Sequence, residues 1–389
     1  MSVVCALPRH WLRVSLWVVS LLVCVTRMGA QVPASSGTLQ GTVIGMPQNV
    51  ALPFAVIGIP QLSIERFTDG EGRFTLTQLQ PGRYDVVVRR IGYSPFRGTV
   101  SIEIGAIARL DVQLTQIPAQ LATTIVHAMT SCPRPGAPDR VREPVVATLV
   151  ALLRENADRY RLLVSAYPFS YRQLRAMGEL ADGTLSVQQV DTILVKGEAR
   201  ATYRPGRIVN RVSNSRGVPE YAMTLPTILD LADENFVRNH CFAYGGTSQQ
   251  DAETWFRLDV RAADKLRTPD VHGSFYLDSA SFELRRMDLT MSRPDRLPQF
   301  LRGVAGVEAV TSFRRIADGL SVIDKVCGLN FWRRSGLRVA NVSAVELQQL
   351  LSYAFTSAPV GVVPRQDLAP ASSWRPGASL ERGTVWCAN

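Results

Sequence analysis

Lysine is nearly absent from this chain: Lys196, Lys265 and Lys325 are the only three in 389 residues, so arginine carries the net charge of +10. The arginines are dispersed, with no basic block, which argues against nucleic acid as a partner. An arginine-favouring composition accounts for them. The competing reading is attraction to an acidic surface such as lipid head groups or polysaccharide. No Gly-x-Ser-x-Gly elbow is present, which removes the usual serine-hydrolase signature. No phosphate-binding loop and no Gly-x-Gly-x-x-Gly follows a strand, so nucleotide cofactors have no foothold. No apolar run reaches the roughly 20 residues a membrane-spanning helix needs, so no transmembrane helix is expected. A small transmembrane β-barrel escapes that test, because its strands are short and alternating. No two cysteines after residue 30 stand close enough for a Cys-x-x-Cys redox or zinc motif.

The N-terminus reads as an export signal, residues 1–30. Arg9 and Arg13 precede an uncharged apolar run over residues 14–25, and Gly29-Ala30 supplies small residues for cleavage. Cys24 raises lipidation, but Val23 stands where a small residue is wanted. Export predicts a periplasmic or outer-membrane-associated protein and an oxidising compartment. Cys132, Cys241, Cys327 and Cys387 are then candidates for two disulfides, with three pairings open.

Residues 68–93 are the most informative stretch. Thr68-Asp69-Gly70-Glu71-Gly72 predicts a turn, its glycines allowing positive φ, and Arg73-Phe74-Thr75-Leu76 then alternates as a half-buried strand does. Pro81-Gly82 predicts a second turn, and Tyr84, Val86 and Val88 mark a strand after it, so the two strands are expected to form a hairpin. Further strands are expected at residues 41–44, 54–57, 98–104 and 108–114. Short strands at this spacing, without helical period, predict a sandwich. With Ile91-Gly92-Tyr93, this pattern resembles the carboxypeptidase regulatory-like domain, a transthyretin-like β-sandwich found in exported bacterial proteins. The resemblance implies a module and a compartment, not a reaction. The zinc site of the carboxypeptidases that lend the domain its name needs a histidine and a glutamate three apart. Three residues after His127, His240 and His272 stand Thr130, Ala243 and Phe275.

The chain is expected to be mainly β: a sandwich over residues 36–118, a proline-rich linker over 119–143, an antiparallel β-sheet domain with one or two packed helices over 144–358, and an irregular tail over 359–389. Glu143-Pro144 opens a helix expected to run to about Tyr160, with Val146, Leu149, Leu152 and Leu153 on one face. Strands are expected over residues 160–174, 185–195, 199–212, 255–260, 307–315, 320–332 and 339–351. A short helix is expected over 225–236, capped by Thr224. A hairpin is expected with strands 273–278 and 281–287 about the turn Ser279-Ala280. His240-Cys241-Phe242, Gly273, Leu277-Asp278 and Leu284-Arg285 resemble a C-terminal domain that accompanies the regulatory-like sandwich in some exported bacterial proteins. The strand-rich arrangement also resembles the curved half-barrels of periplasmic lipoprotein carriers.

Each candidate for chemistry has a plainer structural role. His240 and Cys241 are neighbours on a strand and point to opposite faces, which disfavours a catalytic pair. Asp69 and Glu71 supply too few oxygens for calcium and fit turn chemistry better. Asp278 reads as a turn residue. Tyr84 and Tyr93 fit the sandwich core better than a sugar-stacking face. No catalytic residue, metal site or cofactor is assigned. The leading expectation is a non-enzymatic cell-envelope protein, its sandwich docking a protein or glycan and its second domain acting as a binding or scaffold unit. The alternatives are a periplasmic carrier of a lipid or other apolar ligand, and a hydrolase of peptides or glycans.

Overall fold

The computed structural model describes residues 36–118, 129–181, 184–197, 202–213, 219–250, 252–301, 303–332, 341–368 and 374–381. The expected signal peptide, His127 and Cys387 lie outside these residues.

Nine strands build the N-terminal sandwich: β1 (Gly37–Met46), β2 (Val50–Ala51), β3 (Val56–Ile59), β4 (Ile64–Phe67), β5 (Arg73–Leu79), β6 (Gly82–Arg89), β7 (Phe96–Ile102), β8 (Ile107–Arg109) and β9 (Val112–Thr115). β1 organises a five-stranded sheet, antiparallel to β2 and β5 and parallel to β8 and β9. The second sheet runs β4-β3-β6-β7, antiparallel throughout. Alternation puts Leu39, Val43 and Leu76 of one sheet against Ile57, Val86 and Val88 of the other, all buried. The expected hairpin between β5 and β6 does not form, because β5 pairs with β1 and β6 with β3 and β7. The Pro81-Gly82 turn instead carries the chain from one sheet to the other, with Gln78 in the left-handed region at φ 60°. A turn signal marks a reversal; it does not say whether the next strand pairs or crosses over.

The rest of the chain forms α1 (Pro144–Ala166), β10 (Phe169–Ala181), β11 (Thr184–Lys196), β12 (Val209–Ser213), β13 (Pro219–Met223), α2 (Glu234–Arg238), β14 (His240–Gln250), β15 (Glu253–Ala262), β16 (Asp270–Asp278), β17 (Leu284–Ser292), β18 (Val304–Ala317), β19 (Leu320–Trp332), β20 (Asn341–Phe355), β21 (Arg365–Asp367) and β22 (Ser379–Glu381). An eleven-stranded sheet runs β14 through β20 in chain order, then β10, β11 and β22, with β21 on β20. Its first hairpin, β10–β11, thus joins beside its last long strand.

Several expected boundaries move, each for a local reason. The helix continues past Tyr160 to Ala166, because Tyr160, Leu163 and Val164 extend the buried face of Leu149 and Leu153. It stops where Pro168 denies Tyr167 the helical conformation. Residues 202–208 are not strand: Pro205-Gly206 turns the chain, with Gly206 at φ 65°. The expected helix over 225–236 splits into a 3-10 turn over Ile228–Ala232 and α2. Thr227, not Thr224, forms the capping box with Asp230, and Asp233 caps α2 through the Asn235 N–H. Ser281, Phe282 and Glu283 belong to the turn rather than a strand. The Asp278 carboxylate accepts from the Ser281 N–H and hydroxyl, and Phe282 sits at φ 58°. The tail expected to be irregular contributes β21 and β22, each paired to the large sheet.

α1 fixes how the two bodies meet. Thirteen of its 23 residues are buried, more than one amphipathic face provides. One core unites its Leu149, Leu153 and Leu163 with Leu258, Phe275 and Met287 of the large sheet and with Phe54, Phe67 and Ile91 of the sandwich.

Candidate functional site

The residues that carried the sandwich motif act as structure. Asp69 Oδ1 accepts from the N–H groups of Glu71 and Arg73, and Arg73 pairs with both carboxylates. Gly72 needs its glycine: φ is 74°, and a Cβ would stand 2.6 Å from the Val43 carbonyl oxygen. Gly70 needs none, since no atom lies within 4 Å of its Cβ position and its φ is not positive. Thr68 is buried, accepts from the Ala55 N–H and donates to the Leu52 carbonyl. Phe74 lies in the sandwich core, Pro81 and Gly82 form the crossing between sheets, and the Tyr84 hydroxyl donates to the Gln80 carbonyl. Tyr84 and Tyr93 both pack against that core. Gly92, at φ 81°, faces the Phe282 ring of the β16–β17 turn, so this motif residue belongs to the seam between the bodies.

Cys132 is bonded to Cys241, which fastens the segment after the sandwich to β14. Cys327 is buried on β19 and is also disulfide-bonded. His240 points inward beside that bridge, opposite in sense to Cys241. Its Nδ1 donates to the Phe236 carbonyl at 2.8 Å and its Nε2 lies 3.4 Å from Asp270 Oδ1. Asp270 also accepts from the Tyr203 hydroxyl and the Gly206 N–H. Burial and the Asp270 charge push the Tyr203 phenol far up, so it remains a donor. His240 and Asp270 are both 0% exposed, so this cluster pins residues 203–206 rather than meeting a substrate. His272 stands apart on β16, its imidazole held down by burial and by Arg261. Asp278 is a turn acceptor, as expected.

The seam holds charges that were not singled out in the sequence. Arg89 at the end of β6 meets Glu65 at 2.7 Å, Glu155 at 2.8 Å and Asp158 at 3.5 Å, and Arg161 meets Glu65 at 3.0 Å. Burial alone would lower the Arg89 guanidinium, but these carboxylates together hold it above its ordinary value. Burial raises the Glu155 carboxyl despite Arg89. Asn156, buried on α1, donates to the Phe282 carbonyl and accepts from the Leu284 N–H. The one available signal was the run of charges Arg154, Glu155, Asp158, Arg159 and Arg161 between the apolar halves of α1.

A groove of about 500 Å³ opens along the same seam. Phe67, Phe74 and Tyr167 supply its apolar floor, Thr42, Arg73, Arg109 and Asp111 its sandwich rim, and Pro359 and Val360 its far wall. Phe67 and Tyr167 stack at 6.0 Å between centroids, and burial raises the Tyr167 phenol. Val360 remains 67% exposed at the mouth. By contrast, the hollow bounded by Tyr160, Tyr171, Val195, Ile228 and Ile323, where α1 meets the large sheet, measures about 230 Å³. Among the described residues no three of histidine, cysteine, aspartate and glutamate gather as metal ligands. No described helix is long and apolar enough to cross a membrane.

Comparison with known proteins gives the following. No curated protein matches the chain. A DUF1329 family protein from Desulfovibrio piger is similar at 11% identity and a TM-score of 0.29, over 55% of this chain and 95% of that one. A LolA superfamily protein from Nitrosomonas europaea is similar at 13% identity and a TM-score of 0.26, over 58% and 97%. A domain assigned to outer-membrane lipoprotein sorting in Vibrio parahaemolyticus is similar at 9% identity and a TM-score of 0.31, over 54% and 91%. The family model of the carboxypeptidase regulatory-like domain matches residues 38–115, the span of β1 to β9, and the N-terminal sandwich is therefore a domain of that family.

Proposed function

We propose that this is a non-enzymatic exported protein of the cell envelope. Its sandwich and sheet domain act as one docking body, and the seam groove receives an extended segment of a partner envelope protein. The observation that carries this reading is the position of open space. The face of the large sheet that a carrier would keep hollow is filled by α1, whose Leu149, Leu153 and Leu163 are at most 1% exposed. The 500 Å³ groove instead lies outside, between the two bodies. Its rim alternates Arg73 with Asp69 and Arg109 with Asp111, while its floor is aromatic. That combination suits a peptide with mixed charge and apolar anchors. The hollow left between α1 and the large sheet, at 230 Å³, falls below the roughly 300–1,000 Å³ of small-molecule pockets; a hollow of about 410 Å³ between α1 and the end of β6, with Tyr93, Ile117 and Leu152 in its lining, is the place a carried ligand would occupy.

Two measurements test the proposal. Native mass spectrometry of protein purified from the periplasm should give a bare mass; lipid-sized mass lost on denaturation would replace docking with the carrier. A photo-crosslinking residue at position 360 should give one discrete protein adduct in cells, and a residue at exposed position 194 should give none. Reversing the rim charge with Arg109→Glu should abolish that adduct. Equal labelling from both positions, adducts indifferent to R109E, or a glycan adduct alone would sink the reading.

A further inference from the structure

Directly behind the seam, two guanidinium groups converge without acceptors enough to satisfy them. Arg159 on α1 is only 1% exposed. Its Nε donates to the Gly319 carbonyl at 2.9 Å, but Nη1 and Nη2 have no hydrogen-bond partner among the described residues. Arg90, just past β6, likewise leaves its buried Nε without one. The two groups meet at Gly319, whose missing Cβ would stand 2.2 Å from Arg90 Nη1 and 2.9 Å from Arg159 Nη2. A third unpartnered atom, the buried Ser321 hydroxyl oxygen, belongs to the same place. Arg159, Gly319 and Ser321 with Asn156, Leu284 and Leu320 line a void of about 10 Å³, counted as room for the centre of a water-sized sphere.

Nearby carboxylates do not meet this demand. Glu283 is spent on the Gly319 N–H at 2.6 Å, on Arg315 at 2.7 Å and on Arg285 at 3.4 Å. Glu155, one helical turn before Arg159, gives one oxygen to Arg89 and makes no hydrogen bond with the other. A buried guanidinium with two unpaired nitrogens, beside a second cation, is costly unless an anion compensates it. Burial, reinforced by Arg90, pushes the Arg159 guanidinium down to about 9. The void has room for one small guest, which excludes carboxylates, sulfate and phosphate.

The geometry points to a buried monatomic-anion site, occupied by chloride, held by Arg159 with the Ser321 hydroxyl as a second donor, while Arg90, outside the void at Gly319, adds positive charge. The ion joins α1 to the β18–β19 turn, with Arg90 of the sandwich on the other side of Gly319. Water is the competing guest; it leaves the Arg159 guanidinium to the Phe67 ring, 5.3 Å from its centroid, and to the Glu155 and Glu283 charges, whereas chloride adds an anion in direct contact.

The test uses the whole exported protein in sodium chloride and in sodium gluconate at equal ionic strength, since gluconate is too large for the void. Above the dissociation constant, each tenfold rise in chloride should shift the folding equilibrium about tenfold, and gluconate should not. Crystals soaked in sodium bromide should show an anomalous peak between Arg159 and Ser321. Arg159→Met should remove the chloride dependence, and the milder Ser321→Ala should weaken it if the first variant fails to fold. Equal stability in the two salts, with no bromide peak at the site, would identify the guest as water and overturn the proposal.

Discussion

Replacing Arg89 by methionine tests whether the two bodies stand or fall together. Three carboxylates face Arg89, from Glu65 of the sandwich and from Glu155 and Asp158 of α1. Methionine keeps the aliphatic stem and removes the charge, leaving those carboxylates with Arg161 as the cation next to Glu65. Breaking a fully buried ion pair costs about 3–5 kcal/mol. Arg89 keeps 23% exposure and Glu155 12%, so solvent screens part of the interaction, and we expect about 2 kcal/mol at pH 7. The deficit should depend on pH in one direction. Glu155 already has a folded value above its ordinary 4.5, burial outweighing Arg89. Such a group contributes stability below its unfolded value and loses it as pH rises through the folded value. Without Arg89 the folded value climbs further, so the mutant's deficit shrinks toward pH 4 and grows toward pH 7. Urea unfolding followed by tryptophan fluorescence reads this well, because every tryptophan after residue 30 lies beyond residue 250, outside the sandwich. An unchanged fluorescence midpoint at pH 7, or equal deficits at pH 4 and pH 7, would refute the coupling argument.

The motif glycines and the disulfide give further checks. Gly72→Ala should destabilise the protein by about 1–3 kcal/mol, because φ is 74° and the new Cβ meets the Val43 carbonyl. Gly70→Ala, two residues earlier in open space, should stay within about 0.5 kcal/mol, and thermal melts of the pair would separate them. Non-reducing peptide mapping should link the fragments holding Cys132 and Cys241. The double serine variant should lose up to about 4.7 kcal/mol, the loop-entropy limit for a bridge spanning 109 residues of sequence, and an unchanged urea midpoint would contradict that.

What was legible in the sequence was what short segments decide by themselves. Asp69 to Gly72 folds as its own turn chemistry dictates, and the strands about residues 273–287 show their period of two. The same locality explains the errors. Pro81-Gly82 announces a reversal whether the next strand pairs or crosses to another sheet, and only the register of β1 with β5 and of β3 with β6 decides it. Tyr160 to Ala166, with Tyr160, Leu162, Leu163 and the β-branched Val164, is bulky enough to read as strand, yet contacts on two sides of α1 keep it helical. The seam was hidden more deeply. Arg89 and Glu155 are 66 residues apart, and Arg159 and Gly319 are 160 apart, so nothing local distinguishes these charges from a solvated helix face. Their burial follows from the sandwich packing against α1 and the large sheet, and Gly92 lies on that contact: a Cβ there would meet the Phe282 ring at an ordinary 3.4 Å, so its φ of 81°, not lack of room, is what calls for glycine. A residue read as part of the sandwich turn pattern therefore also stands where the two bodies touch.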